Sequence, residues 1–152
     1  MPLSTILEQW HPGPAIRKGQ KGAGRCRPSM AQPRARFVVH EHRARRAGLH
    51  YDLRLEREGV LMDWAFRKEP PLEPGIKRFG VKQPDHGLEW LGFEGTIDDG
   101  YGAGEMRIWD SGTYELVEEK GGLMKIRLEG SRLRGEYVLL RFREGWLFFR
   151  AR

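Results

Sequence analysis

Phe37-Val38-Val39-His40-Glu41-His42, Arg43-Ala44-Arg45-Arg46-Ala47-Gly48 and Leu49-His50-Tyr51-Asp52-Leu53-Arg54-Leu55-Glu56-Arg57 follow one another without a break, and their reading decides the fold. Two runs of strand formers flank an Arg-, Ala- and Gly-containing turn, which predicts an antiparallel pair. Side chains alternate along a strand, so His50, Asp52 and Arg54 share one face and Tyr51, Leu53 and Leu55 the other. The preceding strand puts Phe37 and Val39 on one side and Val38, His40 and His42 on the other. If the two strands pair, their histidines converge. Two imidazoles and a carboxylate, His42, His50 and Asp52, make a candidate three-ligand site for a divalent ion such as Zn, Mn or Fe, with positions left for water and substrate. The plainer alternative is a surface histidine pair with Asp52 bound to Arg54.

Working outward, Glu58-Gly59 predicts a hairpin turn into a strand over Val60 to Phe66. Pro70, Pro71 and Pro74 predict a surface loop from Arg67 to Gly75. A strand follows from Lys77 to Gln83. Pro84 is expected to end it and to leave Asp85 and His86 on a loop, where functional groups are often displayed. Leu88 to Leu91 reads as a helical turn and Phe93 to Ile97 as a strand. Beyond the Gly-rich stretch Asp98 to Gly104, short strands alternate with turns. They are expected at Glu105 to Trp109, Thr113 to Glu118, Leu123 to Leu128, Glu136 to Phe142 and Trp146 to Arg150, with Asp110-Ser111-Gly112 as one of the turns. About eight or nine strands without a long helix or a βαβ rhythm predict a mainly β protein, a compact antiparallel barrel that closes its own edges.

The sequence has 152 residues, of which 32% are charged, and a net charge of +6. One barrel domain over 37–152, preceded by a basic arm over 1–36, fits this length. The arm holds seven Lys or Arg against one acid, Glu8, so it accounts for the whole positive excess. Its Gly- and Pro-rich composition builds no core, and only partial order is expected, around Leu3, Ile6, Leu7 and Trp10. A basic arm on a neutral body suits salt-dependent contact with nucleic-acid phosphates; a solubilising tail is the alternative. Cys26 is the single cysteine, so an internal disulfide and thiolate metal clusters are excluded. No apolar run approaches a membrane span of roughly 18 residues and no secretory signal is read, so the expected location is the cytoplasm, at the nucleoid.

Asp99 to Gly104 lacks the following helix that a nucleotide-binding Gly loop needs. Neither a Gly-x-Ser-x-Gly elbow nor the Lys-x-Asp-Gly pattern of a ligase nucleophile is found.

From residue 37 onward the sequence resembles the 3′-phosphoesterase domain of bacterial DNA ligase D and its stand-alone homologues. The resemblance is carried by a strand ending in His42, the Ala44-Arg45-Arg46 turn and His50-Tyr51-Asp52-Leu53-Arg54-Leu55-Glu56. Asp63-Trp64-Ala65, Lys68, Lys77-Arg78, Asp85-His86, Phe93-Glu94-Gly95, Tyr101 to Gly104, Ile108-Trp109-Asp110 and Gly145-Trp146-Leu147 extend it. It implies a compact β-barrel and a metal-dependent enzyme that removes a 3′-terminal ribonucleoside and then a 3′-phosphate from DNA, leaving a 3′-hydroxyl. It also implies His42, His50 and Asp52 as ligands of a divalent ion, Mn2+ before Zn2+ or Co2+. Arg54, Lys68, Arg78 and His86 would contact phosphate, with Arg54 and His86 in the chemistry and Trp90 near substrate; His40, on the same face as His42, could touch substrate rather than the ion. RNA-terminated or plain DNA 3′ ends would be the substrates and a separate DNA ligase or polymerase a partner.

Three features depart from the family's pattern. The turn between His42 and His50 is two residues longer, Trp90 replaces a Tyr, and an Arg-Asp-Phe element and a Glu-Pro pair are missing from residues 1 to 36. The alternatives to an enzyme are a non-catalytic barrel that binds nucleic acid and a module that recruits a ligase.

Overall fold

A computed structural model describes residues 34–98, 100 and 103–152. The basic arm up to residue 33, and the turn residues 99, 101 and 102, lie outside the described residues. Nine strands account for nearly all of the rest: β1 Ala35–Ala44, β2 Gly48–Arg57, β3 Val60–Phe66, β4 Lys77–His86, β5 Gly95–Ile97, β6 Gly104–Lys120, β7 Leu123–Gly130, β8 Arg134–Phe142 and β9 Gly145–Arg150. One 3-10 turn, Leu88–Gly92, lies between β4 and β5.

The strands run in the order β1-β2-β3-β4-β9-β8-β7-β6, and β1 pairs again with β6, which closes an eight-stranded antiparallel barrel. β5 is an extra strand on the outer flank of β6. Closure removes the unpaired edges that a sheet this size would otherwise expose. The interior is filled by alternate residues of each strand, among them Phe37, Val39, Tyr51, Leu53, Leu55, Trp64, Phe66, Ile126, Leu128, Tyr137, Leu139 and Phe148. The alternation read from β1 and β2 is therefore the barrel wall itself. Glu58 and Gly59 both have positive φ, as a two-residue turn matching the strand twist requires, and they join β2 to β3.

Two expected breaks are absent. Pro84 does not end its strand: β4 continues to His86, with Leu61 opposite His86 and Asp63 opposite Gln83. The extra residues Pro84 and Asp85 form a bulge, where a proline's missing N–H costs no ladder bond. Nor is Asp110-Ser111-Gly112 a turn, because β6 runs through it for 17 residues. The turn-like composition serves another end. The buried Asp110 carboxylate accepts the backbone N–H groups of Ser111, Ser131, Arg132 and Leu133 at 2.8–3.0 Å, tying the β7–β8 connection to β6.

The longer turn after β1 is absorbed without disturbing the pair. Gly48 takes a positive φ of 85°, and Ala47 folds back to bury itself with Ala44 and Ala65. The Pro-rich segment from Arg67 to Ile76 is the connection between β3 and β4, as expected.

Candidate active site

The face of β1–β2–β3 turned away from the barrel interior is also buried. A second apolar cluster covers it, made of Leu61, Trp90 and Met106 with Leu88, Leu91, Phe93 and Ile97 from the 3-10 turn and its surroundings. Polar side chains are enclosed between the wall and this cover: His40, His42, His50, Asp52, Arg54, Asp63 and His86 are all at most 5% exposed.

Register assembles them. His42 lies opposite His50, and His40 opposite Asp52. Across the next pair Arg54 lies opposite Asp63. Ligand atoms of His42, His50 and Asp52 all fall within 4.8 Å of one another. His42 Nδ1 and His50 Nε2 are 3.8 Å and 3.6 Å from Asp52 Oδ2. The other nitrogen of His50, Nδ1, lies 3.2 Å from the Gly48 carbonyl, a hydrogen bond that turns the Nε2 lone pair toward Asp52. Two imidazole nitrogens and a hard carboxylate, gathered in a buried pocket with an outer-shell acceptor already in place, fit a divalent ion.

Arg54 ties this triad to the rest of the cluster. Its Nη2 is 3.4 Å from Asp52 Oδ2, its Nε 3.4 Å from Asp63 Oδ2, and its Nη1 donates to His40 Nδ1 at 2.7 Å. The guanidinium carbon also lies 5.6 Å from the centre of the Trp90 ring, a cation–π contact. His40 uses both ring nitrogens inside the protein, since Nε2 is 2.9 Å from the Phe93 carbonyl. Its proton sits on Nε2, and Nδ1 accepts from Arg54. His86 is not on a loop but at the buried end of β4. Its Nδ1 is 2.8 Å from the Pro84 carbonyl and 3.3 Å from Asp63 Oδ2. That leaves Nε2 as the nitrogen with a lone pair.

Burial, helped by the nearby Arg54 charge, pushes the pKa of both His40 and His86 down to about 3, so each is neutral at pH 7. Burial works the same way on His50, but the Asp52 carboxylate outweighs it and raises the imidazole above its usual range. Asp52 is held well below the usual carboxylate range: burial opposes its charge, and His50 and Arg54 more than compensate. Asp63 is pushed up to about 7, because burial there exceeds the pull of Arg54.

Two of the remaining expected site residues, Lys68 and Arg78, lie outside the cluster, and Trp90 borders it. Lys68 is exposed on the β3–β4 connection. Arg78 is half-buried, and its Nε donates to the Glu69 carbonyl at 2.6 Å, bracing that connection. Trp90 belongs to the cover, with its ring 4.8 Å from Phe93 and 6.4 Å from His86 between centroids. The cluster member to which sequence reasoning gave no role is Asp63. The signal was present, because a two-residue turn at Glu58-Gly59 places residue 63 opposite residue 54 by counting alone.

Comparison with known proteins gives the family. The DNA Ligase D 3′-phosphoesterase domain family matches over residues 40–141, which include every member of the cluster. The chain is 43% identical over 122 residues, 76% of its length, to the multifunctional non-homologous end joining protein LigD of Mycobacterium bovis. It is 41% identical over 130 residues to LigD of Mycolicibacterium smegmatis and 35% identical over 147 residues, 93% of its length, to LigD of Pseudomonas aeruginosa. It spans only 16–17% of the length of these relatives. The chain belongs to the DNA ligase D 3′-phosphoesterase domain family.

Proposed function

We propose that the protein is a metal-dependent phosphoesterase that cleans DNA 3′ ends, removing a terminal ribonucleoside and then the 3′-phosphate to leave a 3′-hydroxyl. The observation that carries this reading is the buried chain of contacts from His42, His50 and Asp52 through Arg54 to His86. A module that only bound nucleic acid would have no use for it, since burying two carboxylates and a guanidinium is costly for a fold.

His42, His50 and Asp52 would hold the ion, Mn2+ for preference, which would act as a Lewis acid on a phosphoryl oxygen. Arg54 binds the phosphate. Its Nη1 and Nη2 each carry two hydrogens, and one of each already faces His40 and Asp52. The second pair would meet two phosphoryl oxygens, the one on Nη1 exchanging its weak bond to the Met106 thioether at 3.8 Å for a charged acceptor. His86 acts at Nε2. It takes a proton from solvent when the anionic phosphate binds beside it and gives that proton to the leaving oxygen as the P–O bond breaks, while the water that attacks phosphorus releases a proton to solvent, so that none is gained or lost over the cycle. Lys68 and Arg78 bind DNA phosphates farther from the scissile bond, while His40 and Trp90 hold Arg54 from behind. A separate ligase or polymerase that uses the 3′-hydroxyl is the natural partner in end joining.

The experiment is to titrate Mn2+ into the purified protein over a primer-template ending in a 3′-ribonucleotide or a 3′-phosphate. Metal-stimulated release of nucleoside and phosphate is expected. His86→Ala is expected to keep metal content and DNA affinity while slowing phosphate release by roughly 10². A parent protein without metal-stimulated hydrolysis removes the enzyme reading, and a His86→Ala variant as fast as the parent removes His86 from the chemistry.

A further inference from the structure

Asp63 is 1% exposed, carries no role in the metal triad, and stands between the two groups assigned to the phosphate. One of its oxygens, Oδ2, serves both: Arg54 Nε is 3.4 Å away and His86 Nδ1 3.3 Å. The other, Oδ1, is buried and makes no hydrogen bond among the described residues. For the fold alone this is a poor arrangement. A carboxylate with one unsatisfied oxygen is a costly occupant of a buried position, and an apolar side chain would pack there at lower cost. Its burial also pushes the carboxyl up to about 7, despite the neighbouring guanidinium.

We propose that Asp63 is the positioning residue of this site, one carboxylate oxygen that sets the Arg54 guanidinium and the His86 imidazole relative to each other. The proposal rests on the phosphoesterase reading, in which those two groups touch the phosphate. Without Asp63, Arg54 is held by His40 at Nη1 and by Asp52 at Nη2, both on the side of the metal triad. Those anchors sit at Nη1 and Nη2, with the Trp90 ring centre 5.6 Å from the guanidinium carbon and Met106 Sδ 3.8 Å from Nη1 as softer contacts, and they leave Nε without an acceptor. The third anchor, at Nε, fixes its plane. His86 Nδ1 also meets the Pro84 carbonyl, two residues away on its own strand. Asp63 adds an acceptor from the neighbouring strand, so the ring cannot swing while keeping its bond to Pro84. Both groups must meet one phosphate, and small misplacements of reacting groups cost large factors in rate.

The test compares Asp63→Asn and Asp63→Ala, loaded with Mn2+, on a 3′-phosphate primer-template. Metal content is expected to match the parent, since no ligand is changed. KM is expected to stay within about threefold, while kcat falls about 10-fold for Asn, which keeps an acceptor oxygen, and about 10²-fold for Ala. In a His86→Ala background the loss from Asp63→Ala is expected to shrink to about 10-fold or less, because part of its effect runs through the missing ring. Equal factors in both backgrounds, or parental turnover in Asp63→Ala, would overturn the proposal.

A readout independent of turnover is the exchange of the Arg54 Nε proton with solvent, followed by NMR. It is expected to be slow in the parent and faster in Asp63→Ala; unchanged exchange would likewise overturn the proposal. Should Asp63→Ala not fold, Asp63→Asn carries the same comparisons. An inactive parent whose Arg54 Nε proton still depends on Asp63 would remove the phosphoesterase function and leave the positioning role standing.

Discussion

Single residues in the cluster differ in what they do for it, and substitutions separate the roles. Removing one of three ligands leaves a weak pair, so His50→Ala is expected to lose bound Mn2+ and activity while remaining folded. Retention of a stoichiometric ion, read by elemental analysis, would remove the proposed site. Arg54→Lys keeps the charge but replaces a planar fork with a point donor, which cannot meet His40, Asp52 and Asp63 at once. A fall in kcat of roughly 10–10² is expected, with metal content unchanged. The neutral histidines predict a pH effect on stability. His86, and His40 with it, titrate at about 3 when folded against an ordinary value of 6.5, so below 6.5 the unfolded chain binds more protons. Their contribution is complete above 6.5 and is lost as pH falls toward 3, so the urea midpoint of the metal-free protein is expected to drop over that window. Asp63, pushed up to about 7, opposes part of that drop, so the check is the comparison with His86→Ala, in which the drop is expected to be smaller; an equal drop in both would contradict the burial of that ring.

At the level of elements, the bulges and turns aim side chains that the strands alone would not. The bulge at Pro84-Asp85 returns His86 to the wall opposite Leu61, where the cover can bury it. A second irregularity, between Val39 and His40, sets Asp110 opposite Val39 and Ile108 opposite His40. It leaves Asp110 able to collect four backbone N–H groups, three of them from the β7–β8 connection. Asp110→Ala would strand those donors in a buried place. Lost bonds to a charged acceptor and unmet donors together are expected to cost roughly 2–4 kcal/mol, read as a lower urea midpoint with metal binding retained in the folded fraction. Wild-type stability in that variant would mean that the β7–β8 connection is held by something else.

For the whole molecule, the uneven charge invites a test at the level of DNA binding. Deleting residues 1–33, which hold five of the Lys and Arg, is expected to weaken binding to a primer-template and to flatten its salt dependence, since fewer counterions are released. An unchanged salt slope would demote the arm to a tail. The sequence by itself determined the barrel and most of the site's first half, because both depend on local rules. Alternation placed Tyr51, Leu53 and Leu55 inside and His50, Asp52 and Arg54 on the opposite face, and the turn at Glu58-Gly59 fixed the pairing of β2 with β3. Local rules misled where a distant strand decided the outcome. Pro84 and Asp110-Ser111-Gly112 have the composition of breaks, yet partners in β3 and β1 carried both strands through as bulges. The tertiary structure alone decided that the polar face is buried, since its cover comes from Leu88 to Ile97, far along the chain. That burial keeps His40 and His86 neutral, holds Asp63 between Arg54 and His86, and turns a polar strand face into a candidate active site.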